Sequence, residues 1–453
     1  MPLRPHSGRR KMLFVPLVAA TYFMVSGGPY GIEDILGGAG FLKAILILLI
    51  LPVIWCLPTA LMVGELASAI PAEGGFYVWV RRALGPFWGY QVSWFSLSAS
   101  IFDMAIYPAI FVLYLHKLLP AFTAGWYGYG WALAVVAACC LWNLLGAPVV
   151  ADDSVGMFVL LLAPFAVFVV LGFWHGFTLH PAIQWGGPSA GFGAGSAFST
   201  AVLVAMWNYM GWDNASTVAG EVENPQRNYP RAMIAATFVT AASYILPLAA
   251  MALAGLSTDS FSTGDWTTAA TSLGGPILGV AVVAGGALSG IGMFNALVMS
   301  YTRLPMAMAE GGMLPQVLAR RNSRGVPWVS VILLGLAWGL ALKLPFERLI
   351  SVDLILYGSV LLLEFIALVV LRIREPNLDR PFKAGNLAFA CLLGVGPAVL
   401  IGYALYASHD EKLFGYTSAL LFASLVGLLG PVFYWLIAAP LMRRRLNAGP
   451  LED

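Results

Sequence analysis

The residues of this chain best placed to do chemistry are acids set inside apolar runs. Asp103 lies in S-I-F-D-M-A-I-Y-P, with Tyr107 one helical turn further along, so the two share a helix face. Asp213 follows Trp207 in M-W-N-Y-M-G-W-D-N-A-S-T, where Asn208, Gly211, Asn214, Ser216 and Thr217 crowd the same window. An acid at the centre of a bilayer costs about 2.5 to 3.5 kcal/mol on insertion scales, so these side chains must face protein or water. Carboxylates beside aromatic rings suit an ammonium group, and a carboxyl that sheds its charge on burial can carry a proton. Both acids have plainer readings too: Asp213 as a cap on the inner half of its helix, Asp103 as a residue of a wet vestibule.

A second kind of chemistry is written in the backbone. The stretch V-S-G-G-P-Y-G-I-E-D, Val25 to Asp34, puts Gly27, Gly28, Pro29 and Gly31 in the middle of an apolar run. Proline removes a donor and clashes with the preceding turn, and glycine loosens what is left, so peptide groups from Ser26 to Gly31 lose their helical partners. Irregular backbone at membrane depth is tolerated only where protein or a cavity takes those groups, and in carriers it lines the substrate site. A half-helix starting near Tyr30 offers amides to a carboxylate, while the broken carbonyls suit an ammonium. Glu33 and Asp34 follow within a turn, as solvated caps or as acids of an outer vestibule; Glu33 joins Asp103 and Asp213 as a candidate for proton coupling.

These residues need a membrane scaffold. The chain has 453 residues, 60% hydrophobic and only 10% charged, with mean hydropathy +0.82, which indicates an all-α polytopic membrane protein. Windows of about 20 residues give about twelve spans: 12–39, 42–70, 83–118, 126–147, 154–175, 196–220, 231–256, 274–309, 326–343, 345–371, 387–408 and 415–441. The third and eighth are long enough to tilt or to carry an interfacial turn. With the N-terminus inside, 19 of the 24 basic residues fall on the inner side, and Lys43, Lys117, Lys343, Arg348 and Lys412 on the outer; this bias puts both termini in the cytoplasm. Arg9, Arg10 and Lys11 before an apolar core resemble a signal peptide, but without an A-x-A-like cleavage site the segment reads as an uncleaved first span. No soluble domain interrupts 1–453. The stretches His180 to Gly195 and Ser257 to Thr271 read as outer loops or short surface helices, and Pro71 to Gly89 as an interfacial helix on the inner side.

The broken spans are the first and sixth. That is the spacing of an inverted repeat of five plus five spans, about 12–175 and 196–371, with two further helices at about 387–441. Elsewhere, Glu65 and Glu364 read as buried pairs or inner-surface anchors before substrate contacts. In span eight, G-G-A-L-S-G-I-G-M-F-N, close glycine packing explains most of the composition, with Ser289, Phe294 and Asn295 as possible neighbours of the site and Tyr357 of span ten as another. Cys56, Cys139, Cys140 and Cys391 show no C-x-x-C spacing, and the histidines His6, His116, His175, His180 and His409 lie at span ends or in loops. No H-E-x-x-H, G-x-S-x-G or phosphate-loop motif occurs, so an enzyme, a metal site and a cofactor are not expected. A channel or transport-derived receptor need not break helices one and six.

Seven motifs in order resemble the amino acid, polyamine and organocation transporter superfamily, most closely its plant polyamine-uptake branch. They are V-S-G-G-P-Y-G-I-E-D at Val25, P-A-E-G-G-F-Y-V-W-V at Pro71, A-L-G-P-F-W-G at Ala83, D-x-x-x-Y-P at Asp103, W-N-Y-x-x-W-D at Trp207, A-G-E-V-E-N-P at Ala219 and M-A-E-G-G-M-L-P at Met308. The resemblance implies the 5+5 inverted-repeat fold, alternating access, and cargo among amino acids, amines and polyamines moved by proton symport or exchange. It implies that Trp207 closes over the substrate and that Asp213 stands where related carriers hold an acid. Sodium sites of related folds pair carbonyls at the first break with span-eight hydroxyls, for which Ser289 is available. The span-five lysine that replaces sodium in some relatives is absent, since 154–175 holds no lysine or arginine. The expected coupling ion is thus the proton, with sodium as the alternative. The expected substrate is a polyamine or cationic amine, with an amino acid as the alternative.

Overall fold

The computed structural model describes residues 10–183, 185, 196–258, 261–343, 349–409, 411–413 and 417–447. Most of the outer segment 180–195, and the basic residues Arg4, Arg9 and Arg348 counted above, lie outside them. Helix dominates: α1 Phe14–Val25, α2 Glu33–Leu51, α3 Leu57–Ala69, α4 Phe76–Leu84, α5 Pro86–Leu118, α6 Pro120–Thr123, α7 Trp126–Asn143, α8 Ala147–Leu179 and α9 Ala197–Asn208. Beyond the second break come α10 Pro225–Leu253, α11 Trp266–Tyr301, α12 Arg303–Glu310, α13 Trp328–Ala341, α14 Leu349–Arg374, α15 Leu387–Leu393, α16 Val395–Ala407, α17 Ala419–Phe433 and α18 Ala439–Asn447. A short antiparallel ribbon joins Lys412–Leu413 to Thr417–Ser418. Among the described residues, eight helices or helix pairs are long and apolar enough to cross a membrane, and α1 and α13 are shorter apolar helices. The outward faces of α8, α13 and α17 expose Val159, Leu160, Leu336, Leu340 and Leu428, a surface that suits hydrocarbon rather than water.

Element boundaries follow glycine and proline. Gly40 bends α2, so Glu33 to Ala39 form a half-helix before the second apolar run, and a single π turn, Pro52–Cys56, carries that run into α3. Gly85 separates α4 from α5, which makes the expected inner interfacial segment a distinct helix with Phe76, Trp79 and Val80 buried. Gly275 kinks α11, and Thr302 parts it from α12, so the eighth window ends earlier than 309 as one rod. The core lies where α5 packs between α11 and α14, with α1 against α11 and α9 against α14.

One end of the bundle is tied by ion pairs. Arg303 meets Glu221 at 2.9 Å, and Arg321 reaches Glu73 at 2.8 Å and Glu310 at 2.6 Å. The chain leaving the second break adds β-bridges, Met12 with Val222 and Glu73 with Val218. Buried Glu65 is held by Arg372, by Arg380 at 3.4 Å and by the amide of Ala384 at 2.8 Å. The pair reading of Glu65 thus matches what the structure holds.

Candidate functional site

The two expected breaks are both present. α1 stops at Val25, and Ser26 to Ile32 run outside helix, with Gly28 at φ +80° in the left-handed region that favours glycine. The freed groups find specific partners. Ser26 Oγ accepts from the Gly28 amide at 3.0 Å, and Glu33 Oε2 accepts from the Gly31 amide at 2.6 Å. The Pro29 carbonyl accepts from Trp266 Nε1 at 2.7 Å, and the Gly31 carbonyl from Asn208 Nδ2 at 3.1 Å. Tyr30 donates to the Val282 carbonyl at 2.6 Å. Span eight makes room for these rings: a methyl group on Gly285 would strike Tyr30, on Gly286 Tyr114, and on Gly292 Phe23. Gly27 packs on Ser289, whose hydroxyl is buried without a partner, and Leu161 of α8 lies against Gly28.

The second break leaves α9 at Asn208 and resumes as 3-10 turns, Trp212–Thr217 and Ala219–Glu221, rather than as an α-helical inner half. Gly211 turns at φ +98°, and a Cβ there would sit 2.4 Å from the Met24 carbonyl, so the two breaks touch. The bare Tyr209 carbonyl accepts from Trp55 at 3.1 Å and Trp212 at 2.8 Å, and the Asn208 carbonyl from Tyr244 at 2.7 Å. Buried peptide groups without helical partners are costly, and these contacts fix the unwound state in place.

Around the paired breaks stand the acids. Asp103 Oδ1 accepts from Tyr107 at 2.5 Å and from Trp207 Nε1 at 3.2 Å, and the two rings stack at 6.2 Å. Tyr301, buried on α11, lies within electrostatic range of Asp103. Asp213 accepts from Tyr357 at 2.6 Å, and Tyr357 in turn accepts from the Gly211 amide at 2.8 Å. Asp353, fully buried on α14, has neither oxygen hydrogen-bonded and lies within electrostatic range of both Asp103 and Asp213. The structure therefore gathers Ser26, Gly27, Gly28, Pro29, Tyr30, Gly31, Asp103, Tyr107, Trp207, Asn208, Gly211 and Asp213 around the two breaks.

Three expectations need correction or addition. Phe294 packs edge-on against Trp338 at 5.7 Å, and Asn295 accepts from Asn143 at 2.7 Å, which commits them to α13 and α7 behind the site. Span eight contributes Tyr301 instead, about two helical turns further on, within electrostatic range of Asp103. Glu33 opens onto no vestibule: it is fully buried, taking the Gly31 amide, the Gly264 amide at 3.1 Å and the Tyr114 hydroxyl, so it ties the first break to α5 and to the segment before α11. Asp353 was passed over, although D-x-x-x-Y at Asp353 repeats the spacing of Asp103 and Tyr107; that repeat was the available signal. Among the described residues no group of histidine, cysteine and acid side chains could hold a metal ion.

A helical membrane protein with two interrupted spans facing each other across buried carboxylates belongs among the carriers. The amino acid permease family model matches residues 18–435, and the chain belongs to that family. It is similar to the polyamine transporter PUT1 of Oryza sativa subsp. japonica, 34% identical over 89% of this chain and 75% of that protein. The polyamine transporter RMV1 of Arabidopsis thaliana is 34% identical over 88% and 81%. The serine/threonine exchanger SteT of Bacillus subtilis is 27% identical over 88% and 90%.

Proposed function

We propose that this transporter moves polyamines or related cationic amines into the cell by alternating access, coupled to protons. The observation that carries the reading is that Asp353 lies within electrostatic range of both Asp103 and Asp213, all three buried and, among the described residues, without a basic partner. Buried charge is stable only when paired, and a ligand with two or more ammonium groups supplies the pairing while Trp207 and Tyr107 offer their faces to its positive charge. The amino acid alternative relies on open amides at the first break to hold a carboxylate. Two of those amides, Gly28 and Gly31, are already taken by Ser26 and Glu33, which favours the amine. The similarity to the polyamine transporters PUT1 and RMV1, higher than that to the serine/threonine exchanger, supports the same choice.

The proposal includes about twelve spans in a 5+5 inverted repeat with both termini cytoplasmic. The end tied by Arg303, Arg321 and Arg372 is then the inner one, in keeping with its wealth of basic residues. It also includes residence in the cell membrane and no enzymatic step. Proteoliposomes holding the purified protein test it: labelled putrescine or spermidine should accumulate when the outside is made acidic, and unlabelled polyamine should compete. Accumulation of serine or threonine with no competition by polyamines would overturn the reading.

A further inference from the structure

One acid of the core is explained neither by ion pairing nor by the amine site. Glu364 is fully buried on α14 and neither carboxyl oxygen has a hydrogen-bond partner. It stands seven residues beyond Tyr357 and eleven beyond Asp353, a spacing that keeps all three on one face of the helix. That puts it roughly 10 Å further along the axis than Tyr357, toward the end where Arg372 and Arg374 sit.

The charged groups nearby are committed elsewhere. On α3, Glu65 binds Arg372 and Arg380. On α4, Arg82 binds Glu375, and Arg81 binds the Tyr77 hydroxyl and the Gly311 carbonyl. On α5, Asp103 belongs to the amine site with Tyr107. The groups that act electrostatically on Glu364 are Asp213, across the second break, and Tyr357 on its own helix. A carboxyl enclosed in this way, with an acid rather than a base for company, is stable only in its neutral form.

We propose that Glu364 is the proton-carrying carboxyl of this carrier, set two helical turns inward of the amine site and linked to it through Asp213. The inference rests on the proposed amine reading. When an ammonium group enters, it requires Asp213 as carboxylate. Glu364 already holds a proton, and its neutral carboxyl leaves the negative charge on Asp213 free for the amine. Opening of the inner end hydrates Glu364, which then gives its proton to water. The empty carrier returns with Glu364 ionised, a costly step that is completed when Glu364 takes up a new proton from the outer side. This sequence makes the proton obligatory for net uptake but not for exchange of one amine for another.

The test uses the full chain in proteoliposomes with labelled putrescine. Glu364→Gln keeps the size and fixes the neutral form. It is expected to keep the melting temperature and the exchange of internal for external putrescine at equal pH, and to lose accumulation driven by a pH gradient. Glu364→Asp should restore part of that accumulation. Gradient-driven accumulation by Glu364→Gln with the pH profile of the unchanged protein would overturn the proposal. Infrared difference spectra between acid and alkaline pH give a readout independent of cargo: a carboxyl band present in the unchanged protein and missing in Glu364→Gln is expected, and identical spectra would overturn the assignment. Failure of the unchanged protein to exchange any amine, with that band intact, would remove the amine reading while leaving Glu364 as the buried proton carrier.

Discussion

Two populations of buried acid share this bundle, and they are treated in opposite ways. At the end tied by ion pairs, buried Glu65 and partly buried Glu73 and Glu221 each meet an arginine, and Glu65 has a backbone amide as well. In the middle Asp103 and Asp213 receive only phenol and indole donors, and Asp353 and Glu364 receive none. A neutral donor steadies a carboxylate without cancelling its charge. The first population is therefore complete in itself, whereas the second is completed by something that arrives from outside. The contrast separates residues that hold the fold from residues that wait for cargo, and each variant below is a way to break it.

The largest effect should come from Glu65. Removing one partner of a buried ion pair costs about 3–5 kcal/mol, because the other charge is left enclosed alone. Glu65→Gln leaves Arg372 and Arg380 in that position, so a marked fall in melting temperature in detergent is expected. Asp353→Asn removes a charge that has no partner and should leave the melting temperature unchanged or raised. If both variants melted alike, the division between the two populations would collapse.

Next comes Asp103→Asn, read as ligand affinity rather than stability. A hydrogen bond to a charged group contributes about 1.5–3 kcal/mol, which corresponds to a loss of about ten- to a hundred-fold in binding. Isothermal titration with spermidine should show that loss with the fold intact. A variant that bound as tightly as the unchanged protein would remove Asp103 from the amine site. Trp207→Phe sharpens the same point with a smaller effect. The ring face is kept while the indole donor to Asp103, 3.2 Å away, is lost; Tyr107 still donates to the same oxygen, so only part of the ~1.5–3 kcal/mol of a bond to a charged group should go, a few-fold weakening in the same titration.

Much of this arrangement could be read from the chain before any coordinates. Val25 to Asp34 announced the first break because no other reading accommodates glycines and a proline at that depth, and the polar crowd from Asn208 to Thr217 announced the second. What the sequence did not carry was which way a buried polar residue turns. Phe294 and Asn295 stood at plausible height, yet helix rotation against α13 and α7 took them behind the site. Glu33 was recognisable as an acid beside the break, but its donors come from Gly264 and Tyr114, distant in sequence and brought near by packing alone. Asp353 was overlooked because one acid at the mouth of a long apolar run looks like a span end. Its burial follows from α14 being inserted deep among α5 and α9, a tertiary fact with no local signature.

The smallest expected effect belongs to a pair that looks strong on paper. Arg82 donates to Glu375 at 2.8 Å and approaches it at 2.5 Å through its other nitrogen, and this hydrogen bonding holds the Glu375 carboxyl below its ordinary range. A carboxylate lowered on folding stabilises the protein at pH above its unfolded value, and the contribution fades as the pH falls through the lowered one. The sign therefore predicts full effect at neutral pH and none in strong acid. The size is another matter. The two side chains are 42% and 30% exposed, so water and salt screen them, and pairs of this kind contribute less than about 1 kcal/mol. Glu375→Gln should lower the melting temperature only slightly at pH 7, and not at all in high salt. A fall matching that of Glu65→Gln would mean that exposure does not decide what an ion pair contributes here, and burial could then no longer serve to tell structural acids from those reserved for an amine.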